Sequence, residues 1–450
     1  VFTVQTDNRQ VKTMPVIHHV PEDESLHPYV TEYRHAHPGD EHVEEQRLVV
    51  IDVDTGHIQP ANYRPVCVNH NAHGFFVAHL GWWSNNSRHA YFVDIERNAQ
   101  RVQVVEFDTH TGDTRVLFEE TSETFVKLNG VPHPAAILTP LPETNELIWY
   151  SERSGWPHLY LYDLNTGALK HSITQGNWLV RHIVHVETEQ RELWLQTAGR
   201  VAHNDPYYMD ICRVHIDTGE ISTLASGDEE FTIVAPGNIA HYALKYSDPD
   251  ISVNARGVSP NGKYFVATHS RVDQAPVSQL FNRLGEAMME LETADLSELP
   301  EGWQRTEPVK LTAADGKTAI YGTVFKPTDF SSDQRYPVID YSLLAPDSFS
   351  APKGSFQNNM SSGFFYTQAL ALAELGFIVV SIDGRGSPGR DTAFSHRQSS
   401  SNNIEDRIAG IKQLAQRIPA MDLSRVGIVD MSGASLMQRP DFYLVGVCYG

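Results

Sequence analysis

No stretch of this sequence approaches the ~18 consecutive apolar residues that a membrane-spanning helix needs, so a soluble chain with no membrane segment is expected. Cysteine is scarce: Cys67, Cys212 and Cys448 lie far apart and no CxxC pair occurs. That excludes a zinc knuckle and a disulfide scaffold, and it leaves the compartment open. Positive charge is also in short supply, with 35 Lys+Arg against 56 Asp+Glu and a net charge of −21. Repulsion from phosphate then opposes binding to nucleic acid or to an anionic membrane, and neither is expected as a partner. A leader is missing too. Val1 runs straight into strand-like Phe2-Thr3-Val4, without a charged n-region or an apolar h-region. The chain reads as a processed product or a fragment, and its localisation stays unknown. What is present is a hydrophobic fraction of 41% and an aromatic fraction of 10%, as in a packed globular protein. At roughly 100–200 residues per domain, the 450 residues suggest two to four domains, or one large β domain plus another.

The first 290 residues repeat with a period near 54. Val49-Val50-Ile51-Asp52-Val53-Asp54-Thr55-Gly56 returns as Val104-Val105-Glu106-Phe107-Asp108-Thr109-His110-Thr111-Gly112. It returns again as Leu159-Tyr160-Leu161-Tyr162-Asp163-Leu164-Asn165-Thr166-Gly167, and as Val214-His215-Ile216-Asp217-Thr218-Gly219. The closing glycines are 56, 55 and 52 residues apart. Each copy is a β-branched or aromatic strand ending in a turn where Gly supplies a positive φ. Aromatic strands precede three copies: Trp82-Trp83 to Tyr91-Phe92-Val93, Leu147 to Tyr150, and Leu193-Trp194-Leu195. A half-repeat follows at Ser259 to Ala267. Units of about 50 residues with several short strands and no helix point to β-propeller blades, against the plainer alternative of unrelated hairpins. Four to five blades are expected, with further blades ahead of residue 1.

Leu280 to Met289 is expected to be a helix, with Leu280, Leu284 and Met288 on one core-facing side. Leu296 to Gly302 reads as a connector. Beyond it the rhythm changes. Ala319–Phe325 and Tyr336–Tyr341 read as strands, Phe364–Leu375 as a helix, and Phe377–Ile382 as a buried parallel strand. Ile404–Ile418 reads as a helix and Arg425–Val429 as a further buried strand, so a parallel sheet with right-handed crossovers is expected. The fold class is mixed β and α/β, with a partial propeller over 1–295 followed by part of an α/β domain over 296–450. Asp430-Met431-Ser432-Gly433-Ala434 follows the last of these strands. A serine nucleophile occupies such a strand-to-helix turn in G-x-S-x-G enzymes, but here both glycine positions are replaced, by Asp430 and Ala434. Read without context, Ser432 fits an ordinary loop serine better than a nucleophile.

Longer motifs carry a resemblance. Trp149-Tyr150-Ser151-Glu152-Arg153-Ser154-Gly155-Trp156-Pro157-His158-Leu159-Tyr160 and Asp383-Gly384-Arg385-Gly386-Ser387-Pro388-Gly389-Arg390 with Phe394 are two of them. Glu405-Asp406, Gly410 to Leu414, and Asp422-Leu423-Ser424-Arg425-Val426-Gly427-Ile428 are the others. In this order they resemble the dipeptidyl peptidase IV family of prolyl oligopeptidase-type serine peptidases, over essentially the whole chain. The resemblance implies a β-propeller capping an α/β-hydrolase domain and an exopeptidase that removes N-terminal dipeptides with Pro or Ala second. It implies no cofactor, peptides as substrates, and a homodimer for the full-length protein. Carried onto this sequence, it makes Ser432 the nucleophile position and the backbone N–H of Gly433 an oxyanion donor.

The chain departs from that pattern in several places. Leu343 stands where the family has an oxyanion-stabilising Tyr in a Tyr-Gly-Gly-Pro segment; the segment here is Leu343-Leu344-Ala345-Pro346. Gln398 to Asn403 replaces a glycine-bearing loop, and Leu436-Met437-Gln438-Arg439 leads directly to Pro440, shortening the helix after Ser432. The catalytic Asp and His follow the nucleophile in this fold and are expected beyond Gly450. The family's amine-gripping Glu pair is expected before residue 1; Glu44-Glu45 reads as solvated charges where a strand begins. Of the 22 histidines, His18-His19, His35, His37 and His42 are the densest, yet no carboxylate or Cys recurs at ligand spacing, so no metal is expected. His396 precedes Ser432, the wrong order for a triad base, and reads as structural. Two functions stand side by side: a serine dipeptidyl peptidase whose chain is incomplete and inactive alone, and a non-catalytic pseudo-peptidase using the propeller as an interaction module. A broad esterase on the same scaffold is a weaker third.

Overall fold

The computed structural model describes residues 1–19, 27–67, 75–76, 79–128, 136–233, 257–342, 349–355, 364–396, 400–430 and 433–448. They divide into two compact units, Val1–Lys127 with Pro134–Ile148 and Tyr162–Lys170, and Leu128–His133 with Trp149–Leu161 and His171–Gly450.

In the first unit, β1 (Phe2–Asp7) pairs antiparallel with β4 (Glu45–Ile51), which also pairs with β5 (Ile58–Pro60) and β6 (Val66–Cys67). A two-stranded ribbon, β2 (Thr13–His18) with β3 (Tyr29–Arg34), stands apart with β3 exposed throughout. The next sheet runs β10-β9-β8-β7, from β7 (Gly81–Trp83), β8 (His89–Ile95), β9 (Arg101–Asp108) and β10 (Thr114–Thr121). Ala90 to Val93, Val102, Val104, Val105 and Phe107 are all buried, so β8 and β9 form the core of that sheet. A third sheet, β11 (Leu138–Leu141), β12 (Glu146–Ser151), β13 (His158–Asp163) and β14 (Leu169–Ser172), is ordered as in sequence.

The repeated turns have one construction. Asp108 Oδ1 accepts the N–H groups of His110 and Thr111 at 2.9 and 3.0 Å. Asp52 does the same for Asp54 and Thr55, and Asp163 for Asn165 and Thr166. Four residues on, Gly56, Gly112, Gly167 and Gly219 take φ between 71° and 84°, where a Cβ is disfavoured. The fourth copy has no Asp at this place, and the His215 Nδ1 accepts from Asp217 and Thr218 at 3.2 and 3.4 Å instead.

In the second unit, β15 (Leu179–Glu187), β16 (Glu192–Ala198), β17 (Met209–His215) and β18 (Ile221–Ala225) form an antiparallel sheet. So do β19 (Glu230–Thr232), β20 (Tyr264–Arg271), β21 (Gln274–Asn282) and β22 (Ala287–Thr293). The two sheets share a core in which Trp194 meets Phe265 edge-on at 5.5 Å and Phe265 stacks on Phe281 at 4.9 Å. The helix expected over Leu280 to Met289 is therefore a hairpin. Asn282 Oδ1 accepts from the N–H groups of Leu284 and Glu286, and Gly285 takes φ +85° with its backbone close against the Leu224 carbonyl. The turn is shorter than the repeat's, with Gly285 three residues after Asn282 instead of four after an Asp, and Leu280, Leu284 and Met288 happened to fall at helical spacing across it. Nor is the stripe core: Leu284, Met288 and Met289 are 67%, 56% and 58% exposed.

The last sheet is six-stranded and mixed, in the order β23-β24-β26-β25-β27-β28. Its strands are β23 (Glu307–Thr312), β24 (Ala319–Phe325), β25 (Tyr336–Tyr341), β26 (Ile378–Asp383), β27 (Met421–Asp430) and β28 (Val445–Cys448). The central β26, β25 and β27 are parallel, as their apolar runs suggest, and the edge strand β28 joins β27 in the same direction. Among the described residues the helices are α1 (Phe364–Glu374), α2 (Thr392–Ser395), α3 (Ser400–Arg417) and α4 (Ala434–Gln438). Side chains alternate across a strand, and the core divides accordingly. Ile404, Ile408, Ile411 and Leu414 of α3 pack with Val380, Ile382 and Ile428, whereas Tyr366, Ala369 and Ala373 of α1 pack with Val379, Ile339 and Phe325.

Candidate active site at the end of strand β27

β27 carries the chain to Asp430, which is 1% exposed. Met431 and Ser432 lie outside the described residues, as do Leu343 to Pro346, the segment expected to lack the oxyanion Tyr. Gly433 follows in the left-handed region (φ 66°, ψ 0°) and opens α4, whose five residues fit the shortening expected from the sequence. The Gly433 N–H, the expected oxyanion donor, already has an acceptor: it donates to Asp430 Oδ1 at 2.5 Å.

A fully buried network backs this turn. Arg407 of α3 donates from Nε to Asp340 Oδ2 at 2.9 Å and from Nη1 to Ser342 Oγ at 2.7 Å. Its Nη2 reaches Ser435 Oγ at 3.5 Å and the Tyr443 hydroxyl at 3.4 Å, and that hydroxyl donates to Asp340 Oδ2 at 2.6 Å. Burial opposes the Arg407 charge, but the Asp340 carboxylate outweighs it and moves the guanidinium pKa upward. One cation thus ties together the end of β25, the start of α4 and the approach to β28. Sequence reasoning missed it, although a signal was there: Asp340 interrupts an apolar strand, and Arg407 sits beside the apolar stripe of α3.

The Asp383-Gly384-Arg385-Gly386 and Glu405-Asp406 motifs prove to be one structure. Asp406 accepts the backbone N–H of Arg385 and two guanidinium N–H groups at 2.7–2.9 Å, and Arg385 reaches on to Asp315 at 2.9 Å. Asp383 accepts the N–H groups of Ser350 and Ala351, fixing the segment from Phe349 to Ser355. Burial pushes its pKa up to about 6, against the pull of Lys353 at 3.9 Å. Lys353 also pairs with Asp205 at 3.3 Å and lies over the Tyr207 ring. Nearby, burial raises Glu230 to about 7, with Arg181 opposing.

His396 Nε2 lies 2.6 Å from Glu152 Oε2, and Thr392 N–H donates to the Gly155 carbonyl. Two residues of the Trp149–Tyr160 motif thereby hold the α2 segment, the structural place foreseen for His396. Glu45 opens β4 exposed, with Glu44 half-buried before it. His18 stacks on Tyr29, and His37 borders Asp40. Among the described residues no group of three or more His, Cys, Asp or Glu could hold a metal ion, and no helix is long and apolar enough to cross a membrane.

Residues 1–253 match the sequence model of the dipeptidyl peptidase IV N-terminal region, and residues 363–449 that of the prolyl oligopeptidase family. The chain belongs to the dipeptidyl peptidase IV family. It is 22% identical to human dipeptidyl peptidase 8 over 427 residues, covering 83% of this chain and 44% of that protein. It is 23% identical to a probable dipeptidyl peptidase 4 of Emericella nidulans over 357 residues, covering 76% and 41%. The chain thus spans less than half the length of these curated relatives. Among solved structures, a putative dipeptidyl aminopeptidase IV from Bacteroides ovatus superposes with TM-score 0.76 at 20% identity, covering 99% of this chain and 60% of that one. Porphyromonas gingivalis dipeptidyl peptidase 4 gives 0.68 at 18%, covering 99% and 57%. The fold is therefore the family's, a β-propeller with an α/β hydrolase.

Proposed function

We propose that this chain forms part of a serine-type dipeptidyl peptidase that releases N-terminal dipeptides with Pro or Ala second. In this reading the five four-stranded sheets are propeller blades within residues 1–295, and residues 296–450 are the first part of the peptidase domain. Ser432 holds the nucleophile position and attacks the carbonyl after the second residue. A histidine supplied from outside these residues takes the hydroxyl proton and later delivers it to the leaving amine. The observation that carries the reading is the parallel β26-β25-β27 core, whose last strand ends at Asp430, two residues before Ser432, in a chain of this family. The 18 residues after Ser432 include no histidine, so the 450-residue polypeptide by itself is expected to be inactive. The test is hydrolysis of Ala-Pro and Gly-Pro chromogenic dipeptides by the full-length gene product, with Ser432→Ala as control. Activity lost in that variant supports the reading; an inactive full-length protein contradicts it.

One observation favours a second reading, a non-catalytic relative that uses its propeller as an interaction module. Gly433 N–H is bonded to Asp430, at the position where an active elbow has glycine. A fluorophosphonate probe separates the two readings, because labelling at Ser432 in the full-length protein requires an activated serine.

A further inference from the structure

We propose that the cleft between the β15–β18 sheet and the β19–β22 sheet binds a small organic ammonium with an apolar body, taking Glu229 as its counter-ion and His269 Nε2 as a second acceptor. The proposal does not depend on the peptidase reading, because every residue it uses lies in these two sheets or in the short connection between them.

The cleft begins where the core between the sheets stops being apolar. Side chains alternate across a strand, so Phe265, Ala267 and His269 of β20 share one face with Phe281 and Gln279 of β21. Phe265, Ala267 and Phe281 fill the core against the neighbouring sheet. Gln279 and His269 bring polar groups to the same face, and there a pocket of about 410 Å³ opens, within the size range of small-molecule sites. Leu224, Ala225, Phe231 and Phe281 give it apolar walls, and Ser226 stands exposed at its rim.

Charge decides what such a pocket takes. Of the described residues lining it, Glu229 alone carries a permanent charge. Glu229 Oε2 lies 2.9 Å from His269 Nδ1, and the His269 ring stacks on Phe231 at 5.1 Å. In the neutral imidazole, an Nδ1–H donated to the carboxylate leaves the Nε2 lone pair as an acceptor. Among the described residues nothing bonds Glu229 Oε1, His269 Nε2 or the Gln279 amide. Gly227 helps to keep the carboxylate uncovered: a Cβ there would lie 3.2 Å from the Phe231 ring and 3.4 Å from Glu229 Oε1. Arg271, two residues beyond His269 on β20, is engaged instead by Asp273 at 2.6 Å and Asp228 at 3.5 Å. The pocket thus offers one anion and one lone pair beside apolar walls. An ammonium donates to both acceptors, and a bond to a charged acceptor is roughly twice as strong as one between neutral groups. An anion of the same shape meets repulsion from Glu229, and the net charge of −21 adds to that at long range.

The test is titration of the full-length gene product with three ligands of one shape and different charge: 2-phenylethylammonium, 2-phenylethanol and 3-phenylpropanoate. The readout is the NMR shifts of the Leu224 and Ala225 methyl groups. The ammonium is expected to move both methyls and to saturate with a dissociation constant on the order of 1 mM, ordinary for about nine heavy atoms. The alcohol and the carboxylate should bind about 10-fold more weakly or worse. Glu229→Gln keeps an acceptor for His269 and removes only the charge, so it should weaken the ammonium about 10-fold and leave the alcohol unchanged. Equal affinity for all three ligands overturns the proposal, as do Leu224 and Ala225 methyls that do not respond to the ammonium, or an ammonium affinity unaltered in Glu229→Gln. The comparison of ligands in wild type decides the matter even if the variant fails to fold. Dipeptide hydrolysis has no bearing on any of these outcomes, so this proposal and the peptidase reading stand or fall separately.

Discussion

Aspartate does the same local work in two regions of this molecule, with different consequences. At the repeated turns Asp52, Asp108 and Asp163 accept two backbone N–H groups each, near the surface, where water would otherwise serve them. Those bonds hold the Asp163 pKa below the usual carboxylate range, chiefly through the Thr166 N–H and then through Asn165. Around the six-stranded sheet, Asp340, Asp383, Asp406 and Asp430 are buried and accept respectively from Arg407, the Ser350 and Ala351 N–H groups, Arg385 and the Gly433 N–H. The repeat spreads its stability over many cheap, interchangeable turns. The buried carboxylates concentrate it in single contacts.

The largest way to break that contrast is Arg407→Ala, which leaves Asp340 buried without its cation. A loss of about 3–5 kcal/mol is expected in chemical denaturation, and pairing Arg407→Met with Asp340→Leu should recover most of it. A loss below 1 kcal/mol would mean that the network is no more critical than a surface turn.

Next comes Glu230→Gln. Burial raises Glu230 to about 7 from 4.5 for an exposed glutamate. Between those values the folded protein keeps a proton that the unfolded chain releases. The group's contribution is therefore whole below about 4.5 and is lost as pH rises through about 7. Wild type should lose thermal stability between pH 5 and pH 8 by an amount on the order of a few kcal/mol, and Glu230→Gln should flatten that change. Asp383, raised to about 6, adds a second component in the same direction that remains in the variant. A variant whose pH profile matches wild type would remove Glu230 from the account.

Asp163→Ala is expected to cost about 1 kcal/mol, the ordinary worth of such bonds near water. Smallest is His215→Asp, which gives the fourth copy the aspartate of the other three. A gain of a few tenths of a kcal/mol in thermal unfolding would confirm that the turns are interchangeable, and a loss would deny it.

The contrast also explains what could be read from the sequence. Ala319–Phe325 and Tyr336–Tyr341 coincide with β24 and β25, because apolar runs bounded by turn residues leave little ambiguity. The Asp-to-Gly turns were legible because a local side-chain bond and a positive φ leave a fixed spacing. The hairpin at Leu280 to Met289 was misread as a helix because Asn282 and Gly285 stand three residues apart, off the Asp-to-Gly spacing of four, while an accidental i, i+4 apolar spacing lay across them. The pairing of the buried charges was not legible, although Asp340 inside an apolar strand marked one of the partners. Arg407 and Asp340 lie 67 residues apart, and Lys353 and Asp205 lie 148 apart, so only the tertiary fold brings them together. At the elbow the sequence marked the loss of glycine at 430, but not that the replacement would bond the N–H of Gly433.

The most direct measurement is amide hydrogen exchange at Gly433 in the 450-residue polypeptide, followed by NMR alongside the Asp430→Ala variant. Strong protection in wild type that is lost in the variant, while the β27 amides stay protected in both, is the expected result. A Gly433 amide that exchanges freely in wild type would show the donor open to solvent, and the account of a Gly433 N–H held by Asp430 would fail.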